Sequence, residues 1–259
     1  MKKRIWITAL EKDEKQAQKL AEALARYGLQ PEGHFWIDDL KNVAWRGPAD
    51  ELLKKETAVW VIMATMEELG KASVAFGLSL LALRVFAGRG HSFPVVLVWT
   101  AGDGSTYQAP TLLQGADVFA ASNPSLAVKL VAAANAVPKP IEKDYHLNVH
   151  AFPGLGVWLE AGPAKGQEWK GALLGVHGGD IDFQAVGPRD ALPERSGLQY
   201  PVKGMKINLG EDEFTAWGVQ NRLTHDDSYF ARITGMPDRI LFGPYPGEDA
   251  AEMHVVRLY

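Results

Sequence analysis

The chain of 259 residues contains no cysteine. That absence excludes disulfides, thiolate nucleophiles and cysteine metal ligands, and it suits a reducing compartment. Long apolar runs are missing too. The most apolar segment, Leu69–Phe86, carries Lys71 and Arg84, and its longest uncharged run, Ala72–Leu83, is twelve residues. A bilayer requires about 20. Met1–Arg4 is basic, but Ile5–Leu10 is too short for a signal-peptide core and runs into charge at Glu11. These features lead to the expectation of a cytoplasmic protein with no membrane partner.

Nor is there an excess of one charge. The net charge is −4; residues 1–137 hold 15 basic and 14 acidic side chains, and residues 138–259 hold 12 and 17. Electrostatic capture of nucleic acid or anionic lipid therefore has no support. Familiar catalytic signatures are lacking. There is no Gly-x-Ser-x-Gly elbow, and no glycine-rich phosphate loop leads into a helix at Thr8–Lys12 or Thr65–Leu69. Gly154-Leu-Gly156 lies in a β-rich region and opens no helix. No cofactor is expected, and no internal repeat or low-complexity tract occurs.

What is present is a strong fold signal. Ala58–Ala64 (AVWVIMA) and Phe93–Trp99 (FPVVLVW) are strand-length apolar runs rich in β-branched and aromatic residues, joined by a helix-length crossover. Two all-apolar strands linked this way form a βαβ unit whose parallel strands are buried on both faces. The pattern extends in both directions. Arg4–Leu10 is an apolar strand. Asp13 caps a helix with Ala17, Leu20, Ala21, Leu24 and Tyr27 on one stripe, and Gly28 ends it. His34–Ile37 reads as a second strand closing on Asp38-Asp39, and Pro48 opens a short helix through Lys55. Ala116–Ala120 is a weak fifth strand, followed by a helix from Pro124 to about Asn135. Five β-α repeats predict an α/β doubly wound parallel sheet of five strands, flavodoxin-like in class.

The texture changes at VPKPIEK (Val137–Lys143). Pro138 and Pro140 lack amide donors and disfavour helix before them, so residues 138–143 read as a linker. Beyond it, apolar and polar residues alternate over Leu147–Ala151, Ile181–Ala185 and Met205–Leu209. Further strand candidates are Val157–Ala161, Trp169–Val176, Phe214–Val219, Tyr229–Thr234, Arg239–Phe242 and Met253–Leu258. Gly178-Gly179 looks like a two-residue hairpin turn. About nine short strands predict an antiparallel β-sandwich or barrel over residues 144–259, separate from an α/β domain over residues 1–137.

The first half resembles a TIR (Toll/interleukin-1 receptor-like) domain. The resemblance rests on RIWITAL, on HFWIDDL leading into a long loop, on AVWVIMAT, on the KASVAFGLSLLAL helix and on FPVVLVW. It covers roughly residues 1–137. Response-regulator and nucleoside deoxyribosyltransferase domains share the same doubly wound pattern, whereas a flavodoxin would carry a phosphate loop after Leu10. Members of the TIR family either assemble signalling complexes or cleave the nicotinamide–ribose bond of NAD. The enzymes place a glutamate within a Ser-x-Trp-Cys-x-x-Glu-like segment on the helix after the third strand. The matching segment here is Ser73-Val74-Ala75-Phe76-Gly77-Leu78-Ser79, in which only the serine agrees and Ser79 stands at the glutamate position. Cleaving an N-glycosidic bond builds oxocarbenium character that a carboxylate stabilises and a serine does not.

Ligands of doubly wound sheets bind at the carboxyl ends of the strands. That edge should collect Glu11, Asp38, Asp39, Thr65, Glu67, Glu68, Asp103 and Ser105, with Trp45 and Arg46 on a loop able to stack on and pair with a nucleotide. Glu67 and Glu68 are the nearest carboxylates that could replace the missing glutamate. The bland alternative is that Asp38-Asp39 caps a turn and Glu67-Glu68 complements a helix dipole.

In the second half, His146 and His150 tempt a metal reading, but along a strand they lie about 13 Å apart at ~3.3 Å per residue, too far to share one ion. His177, Asp180 and Asp182 make a possible hard-metal set, more simply a solvated hairpin face; Glu211-Asp212-Glu213 is most simply an acidic turn. No metal is expected. The functional expectation is a TIR-like signalling or interaction protein lacking the catalytic glutamate. A protein partner or a second copy would bind the first half, and the β-rich half would serve recognition. The alternative is a nucleotide- or NAD-processing glycosidase-type enzyme working through Glu67 or Glu68.

Overall fold

The computed structural model describes residues 2–102, 104–246 and 252–259. The chain divides into two compact units, Met1–Ile141 and Glu142–Tyr259. The boundary falls within the proline-containing stretch, where Val137 is 91% exposed.

The first unit runs β1 (Arg4–Ala9), α1 (Glu14–Arg26), β2 (Gln30–Phe35), α2 (Arg46–Leu52), β3 (Thr57–Ala64), α3 (Met66–Leu69), α4 (Ala72–Arg89), β4 (Val95–Trp99), β5 (Asp117–Ala120) and α5 (Leu126–Asn135). The strands form one all-parallel sheet in the order β2-β1-β3-β4-β5. Side-chain alternation decides the layers. Ile5, Ile7 and Ala9 of β1, Val59, Val61 and Met63 of β3, and Val96 and Val98 of β4 pack with Leu20 and Leu24 of α1 and Leu126, Leu130 and Ala134 of α5. Residues between them in sequence turn the other way. There, the Trp60 indole donates to the Thr8 hydroxyl at 2.9 Å. Among the described residues, the one charge built into this interior is Arg4, 4% exposed, whose guanidinium donates to Thr57 at 2.9 Å and pairs with Glu51 and Glu32 at 2.7 and 3.1 Å.

α1 starts where Asp13 accepts from the Gln16 amide at 3.0 Å, and the chain then passes through Gly28 at φ +80°. α4 is apolar on all sides because it is buried: residues from Val74 to Phe86, Arg84 excepted, are enclosed. By length and composition it could cross a membrane, yet 67% of it lies inside the protein, as in a core helix.

Several local boundaries differ from expectation by a few residues: the short helix runs Arg46–Leu52 rather than Pro48–Lys55, β4 starts at Val95 rather than Phe93, and α5 starts at Leu126 rather than Pro124. Two further differences have a clear physical cause. The second strand begins at Gln30, four residues earlier than His34, and ends at Phe35, because parallel pairing with β1 starts at once, Arg4 opposite Gln30. Pro31 is tolerated because β2 is an edge strand. The segment expected as one helix from Leu69 is broken. Thr65 caps a four-residue turn, α3, which Gly70 closes through its amide to the Met66 carbonyl at 2.9 Å, and α4 begins afresh at Ala72.

The second unit holds β6 (Tyr145–Phe152), β7 (Gly156–Pro163), β8 (Ala172–Pro188), β9 (Val202–Leu209), β10 (Asp212–Val219), β11 (Asp227–Pro244) and β12 (His254–Arg257), with no helix among its described residues. They form an antiparallel sheet in the order β6-β7-β11-β8-β10-β9, with β12 also on β11. β8 and β11 are 17 and 18 residues long and pair along their lengths. One half of this pair adds β7 and then β6; the other adds β12 on β11 and β10 with β9 on β8. Each long strand merges two that the sequence suggested separately. Gly178-Gly179 is accordingly not a hairpin turn. Gly178 takes φ +72° inside β8, and a Cβ on Gly179 would lie 2.8 Å from the Thr234 carbonyl. The register of the pair shifts between Gly235 and Arg239. The glycines allow an irregular, closely approached stretch without ending the strand.

Candidate functional site

At the carboxyl edge of the parallel sheet, the chain leaves β1 into Glu11, β3 into Thr65 and β4 into Thr100. These exits frame an open depression of about 470 Å³ lined by Glu11, Thr65, Met66, Glu67, Glu68, Ala101 and Gly102. The Thr65 hydroxyl accepts from the Glu68 amide at 3.2 Å and so starts α3. Glu68 pairs with Lys71 at 2.8 Å, a hydrogen bond that holds the Lys71 ammonium above its ordinary pKa. Glu67 is exposed. Neither glutamate shares a helix with Ser79: they sit on the separate turn before α4, while Ser79 is wholly buried within it.

The remaining expected edge residues, among those described, do not line this depression. Asp38 accepts from the Ser73 hydroxyl at 2.6 Å, tying the loop after β2 to the first turn of α4. Asp39 closes a turn by accepting from the Asn42 side chain at 2.7 Å and its amide at 2.9 Å, bonds that hold its carboxyl below the usual range. Trp45 requires correction as a stacking surface for a nucleotide. It is 2% exposed, because the loop before α2 folds inward and makes it part of the core. Arg46 opens α2 on the surface, and Ser105 is exposed in the loop after β4. Asp103 lies outside the described residues. In that loop Gly104, at φ +65°, lies so close over the Trp99 ring that any Cβ would collide with it, and Tyr107 meets the ring edge-on at 5.3 Å.

Another concentration of chemistry lies in the second unit, in the sheet formed by β6 and β7. Asn148 of β6 faces Glu160 of β7, so His146 and His150, two residues to either side of Asn148, share its face and flank the Glu160 carboxylate. Glu160 is wholly buried, and the two histidines are 5% and 9% exposed. His150 Nε2 lies 2.6 Å from one Glu160 oxygen; the other accepts from the Asp190 amide at 2.8 Å and lies 3.4 Å from His146 Nε2. Burial alone would raise the Glu160 pKa. The two imidazoles and the Asp190 amide outweigh it and hold the carboxyl well below its ordinary range. Asp190, at φ +67° just beyond β8, brings its own carboxylate 3.5 Å from His146 Nε2.

His146, Glu160 and Asp190 are the described residues whose ligand atoms come together closely enough to hold one ion, all within 4.8 Å of one another; His150 is not in that group. His177, Asp180 and Asp182 do not converge. His177 pairs with Asp238 at 2.5 Å, Asp180 accepts from the Ile181 amide, and Asp182 pairs with Arg232 at 2.7 Å. Sequence reasoning weighed the two histidines only against each other along one strand and missed their partner on the next. The available signal was Glu160 itself, a carboxylate inside the apolar strand Val157–Ala161.

No family model and no curated protein matches this chain. Among solved structures, a two-domain esterase active on acetylated mannans, co-crystallised with mannopentaose, aligns over 98% of this chain and 89% of its own at 10% identity, with a TM-score of 0.30. A likeness of that degree transfers no activity.

Proposed function

We propose that the Met1–Ile141 unit is a TIR-like interaction module that acts through protein contacts, with a protein partner or a second copy, rather than by cleaving NAD. The β-rich unit would serve recognition. The observation that carries this reading is Ser79. The position at which the resembling enzymes hold their glutamate is a serine, fully enclosed in α4. Glu67 and Glu68, the expected replacements, sit on another turn, in an open depression where Glu68 is already paired with Lys71. An oxocarbenium-like transition state gains most from a preorganised charge in a water-excluded pocket. The open edge at Glu67 and Glu68 offers solvated charge instead.

The test is incubation of the purified protein with NAD alongside sedimentation velocity over a range of protein concentrations. Absence of nicotinamide release together with concentration-dependent association, or capture of a defined protein partner by the first unit, supports the module. Steady nicotinamide release abolished by Glu67→Gln or Glu68→Gln would establish the glycosidase alternative.

A further inference from the structure

His146 Nε2 is nine-tenths buried and has no hydrogen-bond partner, yet it points between two carboxylates. Its separations from them, 3.4 Å to Glu160 and 3.5 Å to Asp190, exceed the roughly 2.7–2.9 Å of a charge-assisted hydrogen bond. They match a different geometry. Ligands bound tetrahedrally at ~2.0–2.1 Å from one zinc ion stand about 3.3–3.4 Å from each other. Both separations from His146 Nε2 therefore fit edges of a coordination tetrahedron, and the ligand atoms of all three residues lie within 4.8 Å of one another.

We propose that His146, Glu160 and Asp190 form a binding site for a divalent first-row metal ion of the zinc class. The donor set of one imidazole and two carboxylates suits zinc among these ions, and three protein ligands leave a fourth position for water or an anion. That position opens to solvent on the Asp190 side, whose side chain is 61% exposed. The remaining contacts supply orientation. His150 grips the second Glu160 oxygen, and the Asp190 amide, presented by a left-handed backbone, fixes the first.

Arg189 gives the site a competitor. Its NH2 group lies 2.8 Å from His146 Nδ1, and its Nε lies 3.6 Å from Asp190. A guanidinium only donates, so Nδ1 accepts in this arrangement and the ring proton sits on Nε2. Ligation through Nε2 requires the proton on Nδ1, and Arg189, one-third exposed, must then swing away. Metal and guanidinium are alternative partners for the Asp190 carboxylate and for the His146 ring.

The experiment titrates zinc alone into the chelator-treated full chain by calorimetry, and repeats the titration with cobalt(II) read by visible absorption. Two variants spare the fold. Asp190→Asn keeps a residue that tolerates the left-handed backbone, and Arg189→Gln replaces the competing donor by a side chain whose carbonyl accepts from Nδ1–H. We expect one zinc ion per chain and the intense visible bands of tetrahedral cobalt. Asp190→Asn should weaken binding about tenfold or more, and Arg189→Gln should tighten it. Failure of both the native chain and Arg189→Gln to bind stoichiometrically overturns the proposal. So does zinc affinity unchanged by Asp190→Asn, which would place the ion elsewhere.

Discussion

The two units bury their polar groups differently. In the first, the enclosed polar side chains are Arg4, Thr8, Thr57 and Ser79, and three of these belong to two side-chain contacts, Arg4 with Thr57 and Trp60 with Thr8. In the second, His146, Asn148, His150, Glu160, Gln184, Asn221 and Ser228 are enclosed. A parallel sheet covered by helices presents both faces of its strands to apolar layers. An antiparallel sheet alternates two unlike faces along each strand, and here the polar face of β6 and β7 is itself enclosed and assembles around Glu160. The first unit depends mainly on apolar packing, its buried Arg4 pairing with the partly exposed Glu51 and Glu32, whereas the second depends also on a cluster centred on a wholly buried carboxylate.

The sharpest way to break this comparison is Glu160→Ala. Removing one partner of a buried ionic cluster typically costs about 3–5 kcal/mol. The loss should appear as accelerated hydrogen exchange in β6, β7 and β11 while β1, β3 and β4 stay protected. An equal loss in both units would show that their cores are not energetically separate. The same carboxyl carries a pH signature. Its pKa is lowered on folding, so its stabilising contribution is complete above the ordinary carboxylate range and is lost as pH falls through and below it.

Leu24→Ala is the converse test. Leu24 is fully buried in the first-unit cluster, and such truncations cost about 2–5 kcal/mol. Denaturant unfolding should lose stability in the first unit with its pH dependence unchanged.

A smaller effect, of the opposite chemical kind, comes from His34. Its ring stacks on Trp6 at 5.7 Å and neighbours Trp36 at 6.3 Å, and burial lowers its pKa to about 4. Between about pH 6.5 and 4 the unfolded chain takes up a proton that the folded one refuses, so stability falls with acidification. The loss is on the order of 3 kcal/mol at most. His34→Phe should flatten that slope in pH-dependent melting; an unchanged slope would place the titrating group elsewhere. The smallest effect expected is for Asp13→Ala. Loss of the α1 cap should cost about 1 kcal/mol and fray the first turn of α1 in hydrogen exchange without touching the second unit.

The residues themselves made the architecture legible. β3 and β4 are uninterrupted apolar runs because each is covered on both faces, and the alternation over Leu147–Ala151 is that of a strand with two unlike faces. Glycine was harder to read. Gly178-Gly179 signals a turn or an irregular strand equally well, and only the pairing of β8 with β11 chose the latter. Trp45 looked like a loop aromatic, because nothing local says that the segment before α2 folds inward.

The sequence by itself determined the class of each half, the change between them near Pro138 and Pro140, and the absence of a carboxylate at Ser79. Those depend on periodicity, on missing amide donors and on residue identity, all local properties. The tertiary structure alone decided which charges meet. Asn148 and Glu160 are twelve positions apart, and Asp190 is thirty further on, yet strand register and one left-handed residue place their neighbours around a single buried carboxylate. Register is set by turns and by the burial of whole faces, so a constellation spread over three segments becomes visible only once the sheet is assembled.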